Sequence, residues 1–596
     1  MAAISQKEWD VAAVCFEEAL RIDDQCGTAY LGRGLVSLNK EHFREALKDF
    51  EKADGLGTKT EPVYYAEALT KRAITYYYQQ EFDQTLADCT RALTFIPEAP
   101  LAHAYLGGAL AEKDDDEQAA MHIGQALAID PTLAIGLVMR GWVQFKRGET
   151  QQAFSDFSKA LQLKENLADA FLMRGRAYRR LDQPERALKD LNEALRLNPR
   201  LVEALANRAL VYRTNNEMEK ALSDADEAIR LSVESPLGYA TRGVILQSLG
   251  KTAAAQIDFT EALCRVDAKD AGSYHKRAAI YYLQKDYARA IADDSQAIQL
   301  NGKFPAAYNS RGNAWFESGN FTRAIGDYTS AIHYQPNSAE YFVNRADAFM
   351  EEKDFDRAIF DYLEAIKLGL KSPKNYSKKG NAYFMKTEYV KAAEAFTDAF
   401  VLDRKNAEYP ARRGLAYAKL ADAEPAPAAK NAALEKAIRD FSLAIELNDK
   451  NGEYYRFRGD AHYNRADKDY QGEYEKALGD YTKAIELNSD DASAYDHRGT
   501  VHFTTRHFDS AINDYTEAIK RNPKNADYWA NRAEAYAEKK MYPEAIQNYS
   551  EAIQRQPNHA DHFQHRGEAL EKMGEKTKAK QDFEKARQLK KAGPEA

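Results

Sequence analysis

Small and aromatic residues recur along this chain at a fixed spacing. The recurring phrase is an aromatic residue, two or three further positions, then Arg-Gly or Arg-Ala, and later Ala-Ile-x-Asp-Tyr-x-x-Ala-Ile. The small residue after the arginine falls at Gly34, Ala73, Gly107, Gly141, Gly175, Ala209, Gly243, Ala278, Gly312, Ala346, Gly380, Gly414, Gly459, Gly499, Ala533 and Gly567. Eleven of the fifteen steps between these markers are 34 residues; the others are 39, 35, 45 and 40. Twelve residues after most markers stands an alanine, such as Ala46, Ala153 or Ala324, then Phe50, Phe157 or Tyr328, then Ala53, Ala160 or Ala331. Spacings of four and three put these side chains on one stripe of a helix. An earlier stripe joins Tyr308, Gly312 and Trp315. Each period therefore predicts two antiparallel amphipathic helices. Proline closes six periods, at Pro97, Pro131, Pro199, Pro336, Pro523 and Pro557, where a helix must stop.

Sixteen in-register copies over about residues 8–593 resemble the tetratricopeptide repeat family. The resemblance implies an all-α, right-handed superhelical solenoid of antiparallel helix pairs. It also implies that the first helices line a concave groove that takes an extended peptide or a partner helix. No repeat can bury its own apolar face alone, so one continuous core is expected along the stack. Residues 1–26 read as a half repeat, a second helix only, either cut from a longer array or serving as a cap. Residues 594–596 are a tail. Groove chemistry divides the rest into 27–160, 161–405 and 406–593. Insertions at about 421–433 and 464–472 fall between first and second helices, and the Ala/Pro-rich first one reads as a surface spacer.

Fourteen markers follow an arginine. A basic spine suggests nucleic acid, but the repeats test that idea internally. An aspartate stands at the matching place on thirteen second helices, usually sixteen residues on, from Asp49 to Asp582. Where Leu106 or Lys379 replaces the arginine, His122 or Ala395 replaces the aspartate. Asn548, opposite Arg532, is the one unmatched loss. Joint loss predicts an ion pair between the two helices of each repeat. It removes these arginines from any nucleic-acid reading.

The groove positions lie about six and three residues before each marker and one and four after it. In the first four repeats they are apolar, with Leu31, Leu35, Leu38, Tyr77, Val138, Trp142 and Phe145 as candidates for gripping a hydrophobic segment. In the last four they are acidic, with Asp460, Asp496, Asp527, Glu534, Asp561 and Glu568 as candidates for a basic one. Packing between helices and an ordinary solvated face are the respective alternatives. In the middle, Asn309, Asn313, Asn344, Lys374 and Lys378 fall where some tetratricopeptide domains hold the C-terminal carboxylate of a chaperone. Asn309 here stands where the family's leading lysine would be. Asparagine amides suit a peptide main chain and lysines a carboxylate.

Composition narrows this without changing it. The 596 residues carry 83 Lys+Arg against 92 Asp+Glu, a net charge of −9, which gives no general pull toward nucleic acid. Four cysteines without paired short spacing predict neither disulfides nor a zinc finger. No apolar run is long enough to span a membrane. No Gly-rich phosphate loop or His-Glu-x-x-His pair suggests an enzyme or a cofactor. His559, His562 and His565, with Asp561, could ligate a metal, but only His562 and His565 clearly share a helix face, which argues against a site. The expectation is a cytoplasmic, non-enzymatic scaffold for protein or peptide partners. A receptor for acidic C-terminal peptides and a self-associating arm of a larger assembly are the alternatives.

Overall fold

The structure, a computed structural model, describes residues 6–40, 42–79, 81–113, 115–466 and 471–592. Among the described residues there are 33 α-helices and no strand. The helix Gln6–Ile22 comes first, and sixteen helix pairs follow, one for each marker. Repeat 1 pairs Gly27–Asn39 with Phe43–Gly55, repeat 9 pairs Pro305–Glu317 with Phe321–Tyr334, and repeat 16 pairs Ala560–Lys572 with Lys576–Ala592. The fold is the expected all-α solenoid. It separates into two compact bodies, Met1–Lys371 and Ser372–Ala596, holding repeats 1–10 and 11–16. That border follows none of the groove-chemistry boundaries.

The marker residue is small because a second-helix side chain lies against it. A Cβ on Gly312 would sit 2.7 Å from the Tyr328 ring, and one on Gly380 2.7 Å from the Phe396 ring. Alanine takes the marker place at Ala73, Ala209 and Ala278, over the smaller Cys89, Ala225 and Asp294, and also at Ala346 and Ala533, over Tyr362 and Tyr549. The stripe alanines Ala46, Ala153, Ala324 and Ala511 are fully buried and let the helices approach closely. In repeat 12 the place seven residues after the marker, Ala421, is helical, whereas in eleven repeats the turn between the two helices carries one left-handed residue there. Glycine supplies it at Gly148, Gly250, Gly319 and Gly574. Asp182, Asn216, Lys285, Lys353, Thr387, Arg506 and Lys540 adopt it without that freedom. This explains how the chain turns so often with so few glycines.

The first insertion is not a spacer. It lengthens both helices of repeat 12, to Glu408–Ala423 and Pro427–Leu447, because its alanines propagate helix and Pro427 sits at a first-turn position that tolerates it. The second insertion lies partly outside the described residues, between Arg465 and Gln471.

All thirteen arginine–aspartate pairs form, from Arg33–Asp49 to Arg566–Asp582, each with Nε and an Nη donating to separate carboxylate oxygens. The exceptions behave as substitutes. Arg532 Nε donates to Asn548 Oδ1 at 2.9 Å, Lys379 turns to Asp398 at 3.5 Å, and His122 stacks on His103. The sequence did not reveal a second function of the guanidinium. In nine repeats its other Nη reaches back to the preceding repeat's second helix, as Arg311 does to Ser295 Oγ at 3.1 Å. The other acceptors are Asn192, Asp226, Thr329, Thr397, Ser442, Thr482, Thr516 and Ser550. Each stands two residues after the pairing position, a signal that was available in the sequence.

Candidate functional site

In the first body the apolar groove positions are not an open lining. Tyr77, Val138, Trp142 and Phe145 are buried in one core cluster, and Leu31, Leu35 and Leu38 are partly buried against another. The reason is that the first helices of repeats 2–6 close upon one another. Tyr77 packs on Met139, and Tyr78 donates to Asp169 at 2.9 Å from 91 residues away. The Arg176 guanidinium lies 3.9 Å over the Trp142 ring and pairs with Glu112 at 3.2 Å and Glu203 at 2.8 Å. Burial pushes the Glu203 carboxyl up to about 7 against the pull of Arg176, and pushes Asp169 up as well. Burial, with Arg180 and Arg176 alongside, draws Arg179 down to about 10.

Farther along, the same body closes a turn of its own solenoid. Lys113 of repeat 3 pairs with Asp270 of repeat 8 at 2.6 Å, and Gln335 of repeat 9 donates to the Lys146 carbonyl of repeat 4. Burial opposes the Asp270 charge, but Lys113 and the Ser273 amide hold its carboxyl down to about 2. These contacts enclose a cleft of about 980 Å³. Asn309 and Asn313 line it, together with His275, Arg180, Lys303 and Glu340. The three candidate asparagines form a ladder. Asn344 Nδ2 donates to Asn309 Oδ1 at 2.9 Å and to Asn313 Oδ1 at 3.3 Å, and the Tyr328 hydroxyl donates to Asn313 Oδ1 at 2.8 Å. With those oxygens engaged, the side-chain N–H groups of Asn309 and Asn313 are what the ladder can offer a ligand.

A buried group behind the cleft-lining His275 was missed in the sequence. At the ring slot of repeat 8 stands Asp294, fully buried, its Oδ1 bonded to His275 Nδ1 at 2.8 Å. Burial raises the Asp294 carboxyl and His275 opposes that rise. The break in the aromatic pattern at position 294 was the available signal.

Lys374 and Lys378 lie one turn apart on Pro373–Met385 in the second body, Lys374 exposed. The five middle candidates therefore divide into an asparagine group in one body and a lysine group in the other. The acidic candidates also divide. Asp460 accepts from His497 Nδ1 at 2.7 Å and Tyr481 Oη at 2.8 Å, and Asp496, nearly buried, accepts from Asn531 at 2.9 Å. Burial raises the Asp496 carboxyl, and Asp460 raises His497 against the opposing effect of burial. Asp561 pairs with Lys590 at 3.0 Å. Asp527, Glu534 and Glu568 are exposed. His559 and His562 stack with ring centroids 4.2 Å apart, and no group of three or more His, Cys, Asp or Glu among the described residues is disposed to hold a metal. No described helix is long and apolar enough to cross a membrane.

Paired helices that bury small-residue stripes repeat after repeat define an α-helical solenoid of the interaction-scaffold class. Profiles described as tetratricopeptide repeat match residues 172–236, 309–373 and 497–560, and also 563–592; a further TPR repeat profile matches 470–505. The chain belongs to the tetratricopeptide repeat family. No curated protein matches it. Among solved structures it is similar to the Cut9–Hcn1 hetero-tetramer of the APC/C, at 14% identity over 86% of this chain and 98% of that one, with a TM-score of 0.41. It is similar to YrrB, a TPR protein with an unusual peptide-binding site, at 18% identity over 34% and 95%, TM-score 0.28. It is also similar to a human IFIT1 dimer with PPP-AAAA, at 14% identity over 65% and 90%, TM-score 0.35.

Proposed function

We propose that this protein is a non-enzymatic scaffold that holds extended segments of partner proteins along its first-helix faces. The observation that carries the reading is the asparagine ladder opening on the cleft of the first body. Side-chain amides donate to main-chain carbonyls whatever the side chains of the ligand, so the ladder suits a peptide backbone rather than one particular sequence. Titration of the full chain with a fluorescent library of extended nine-residue peptides tests it. Asn313→Ala and Asn344→Ala should each weaken the best binder at least tenfold. Unchanged affinity in both variants would refute the ladder as the holding site.

A second reading, recognition of acidic C-terminal peptides, is supported by the exposed Lys374 one turn from Lys378. Two ammonium groups on one helix face suit a terminal carboxylate as point charges. A peptide ending in a free carboxylate should bind more tightly than its amide, and Lys374→Ala should erase that difference. Equal binding of acid and amide would remove the reading.

A further inference from the structure

The second body holds a cleft that neither asparagine ladder nor lysine pair explains. Its volume is about 410 Å³, toward the lower end of ligand-binding pockets, and its lining is mostly apolar. Leu415 and Ala418 of repeat 12, Tyr463 of repeat 13 and Thr500 of repeat 14 stand at groove positions, while Phe441 and Phe457 form the floor. The lengthened first helix of repeat 12 extends the wall to Asp422. Asp460 and His497 close one side as a bonded pair, so this rim is polar but internally satisfied.

Beyond the cleft the same face is acidic. Asp496 feels both His497 and Asp527, which places these groups in sequence from repeat 14 to repeat 15. Glu534, Glu538 and Glu568 all act on Tyr549, which carries the run of carboxylates on into repeat 16. Asp527, Glu534 and Glu568 are exposed, Glu568 accepting only from the neutral Gln564 amide at 2.8 Å; Asp561 is exposed too but paired with Lys590, and Asp460 and Asp496 are engaged as described above. The free charge therefore begins about one repeat past the cleft.

The geometry points to a docking site for a basic partner segment anchored by one large aromatic or aliphatic side chain. The side chain enters the cleft between repeats 12 and 14, and Lys or Arg residues three to six positions away meet the carboxylates of repeats 15 and 16. That spacing follows from packed helices roughly 8–10 Å apart and an extended chain rising about 3.3 Å per residue. The inference rests on the peptide-holding reading but uses a different body and a different ligand. Charge complementarity selects the occupant, because an acidic or neutral segment would leave this face without a counter-charge.

The test is fluorescence anisotropy on the full chain in about 0.1 M salt, where surface charges still act over ~10 Å. The probe is a labelled twelve-residue peptide with one tryptophan followed by lysines three to six positions on. Replacing its tryptophan by alanine, or filling the cleft with Ala418→Leu, should each weaken binding at least tenfold. Combined Asp527→Lys, Glu534→Lys and Glu568→Lys should do the same and flatten the salt dependence. Thr500→Leu blocks the cleft from its other wall should Ala418→Leu lose helicity. Binding within twofold for the alanine peptide or both cleft-filling variants would overturn the anchor. A charge-reversed chain that binds as tightly as the parent would overturn the basic segment. No binding at 100-micromolar peptide would overturn the site as a whole, while the asparagine-ladder assay in the first body would still stand or fall by its own variants.

Discussion

Asn548→Asp should stabilise the protein, which is unusual for a buried polar-to-charged change. Arg532 is the one repeat arginine whose matching aspartate is replaced while the arginine itself stays. Its Nε has a single neutral acceptor, Asn548 Oδ1 at 2.9 Å, and a second Nη reaches Thr516 at 3.0 Å. Burial lowers the pKa of Arg532, whereas the paired Arg498 and Arg566 have a carboxylate against the same guanidinium edge at 2.7–2.9 Å. A neutral hydrogen bond contributes about 0.5–1.5 kcal/mol net and a charged one about 1.5–3 kcal/mol. Asn548 is only 5% exposed, so the new carboxylate also loses hydration, and the Asn548 Nδ2 bond to the Glu544 carbonyl at 2.8 Å is given up. The gain left is about 1 kcal/mol, roughly a fivefold change in a local opening equilibrium. Stability in a solenoid is close to a sum of single-repeat and nearest-neighbour terms, so the change is felt mainly in repeat 15 and its neighbours. The assay is therefore native-state hydrogen exchange of amides in Ala526–Glu538 and Tyr542–Arg555 rather than global melting. Asp514→Asn in repeat 14 should lose a similar amount. If neither substitution changes local protection by more than about twofold, the pairs only fix geometry and the energetic argument is wrong.

Arg176→Ala should destabilise the first body by about 3–5 kcal/mol, because it strands Glu112 and Glu203 without their shared partner; urea unfolding followed by Trp142 fluorescence would read it. Glu203 has a folded pKa raised to about 7, so its contribution is full below about 4.5 and is lost as pH rises toward 7. Glu203→Gln should flatten that part of the stability–pH curve, and an unchanged curve would refute the assignment. His562 behaves oppositely. Burial, with His559 beside it, pulls it down to about 4, so its contribution is present above about 6.5 and is lost as pH falls toward 4. His562→Gln should remove the acid loss of exchange protection in Ala560–Lys572. Lys285→Gly, at a left-handed turn position, should stabilise repeat 8 by about 0.5–1 kcal/mol in thermal or urea unfolding.

The periodicity made the helix pairs, their number and the internal ion pairs legible, because each depends on spacings within one 34-residue unit. What it hid was contact between units far apart. Lys113–Asp270, Tyr78–Asp169 and Gln335 against Lys146 are set by the small rotation added at every repeat, and no spacing rule encodes that sum. The burial of Trp142 and Phe145 follows from the same closure, so an apolar groove in sequence became core in structure. The acidic candidates were legible as a face, but not which of them were already bonded. Asp496 and Asn531 are 35 residues apart, one repeat, so that bond at least was open to a pairwise reading. The repeat-12 insertion misled because proline and alanine together suggest a spacer, although proline in the first turn followed by alanines also begins a helix well.

The arginine staples divide the molecule in a way the repeat pattern alone conceals. Repeats 12 to 16 each reach back to the one before through a guanidinium and a hydroxyl acceptor; among the described residues repeats 1 to 5 carry no such staple and share a large cluster of buried apolar side chains. Apolar cohesion weakens as water cools, whereas a charged hydrogen bond carries no such penalty. Near freezing repeats 1 to 5 should therefore lose more exchange protection than repeats 12 to 16, whose apolar clusters are backed by the staples.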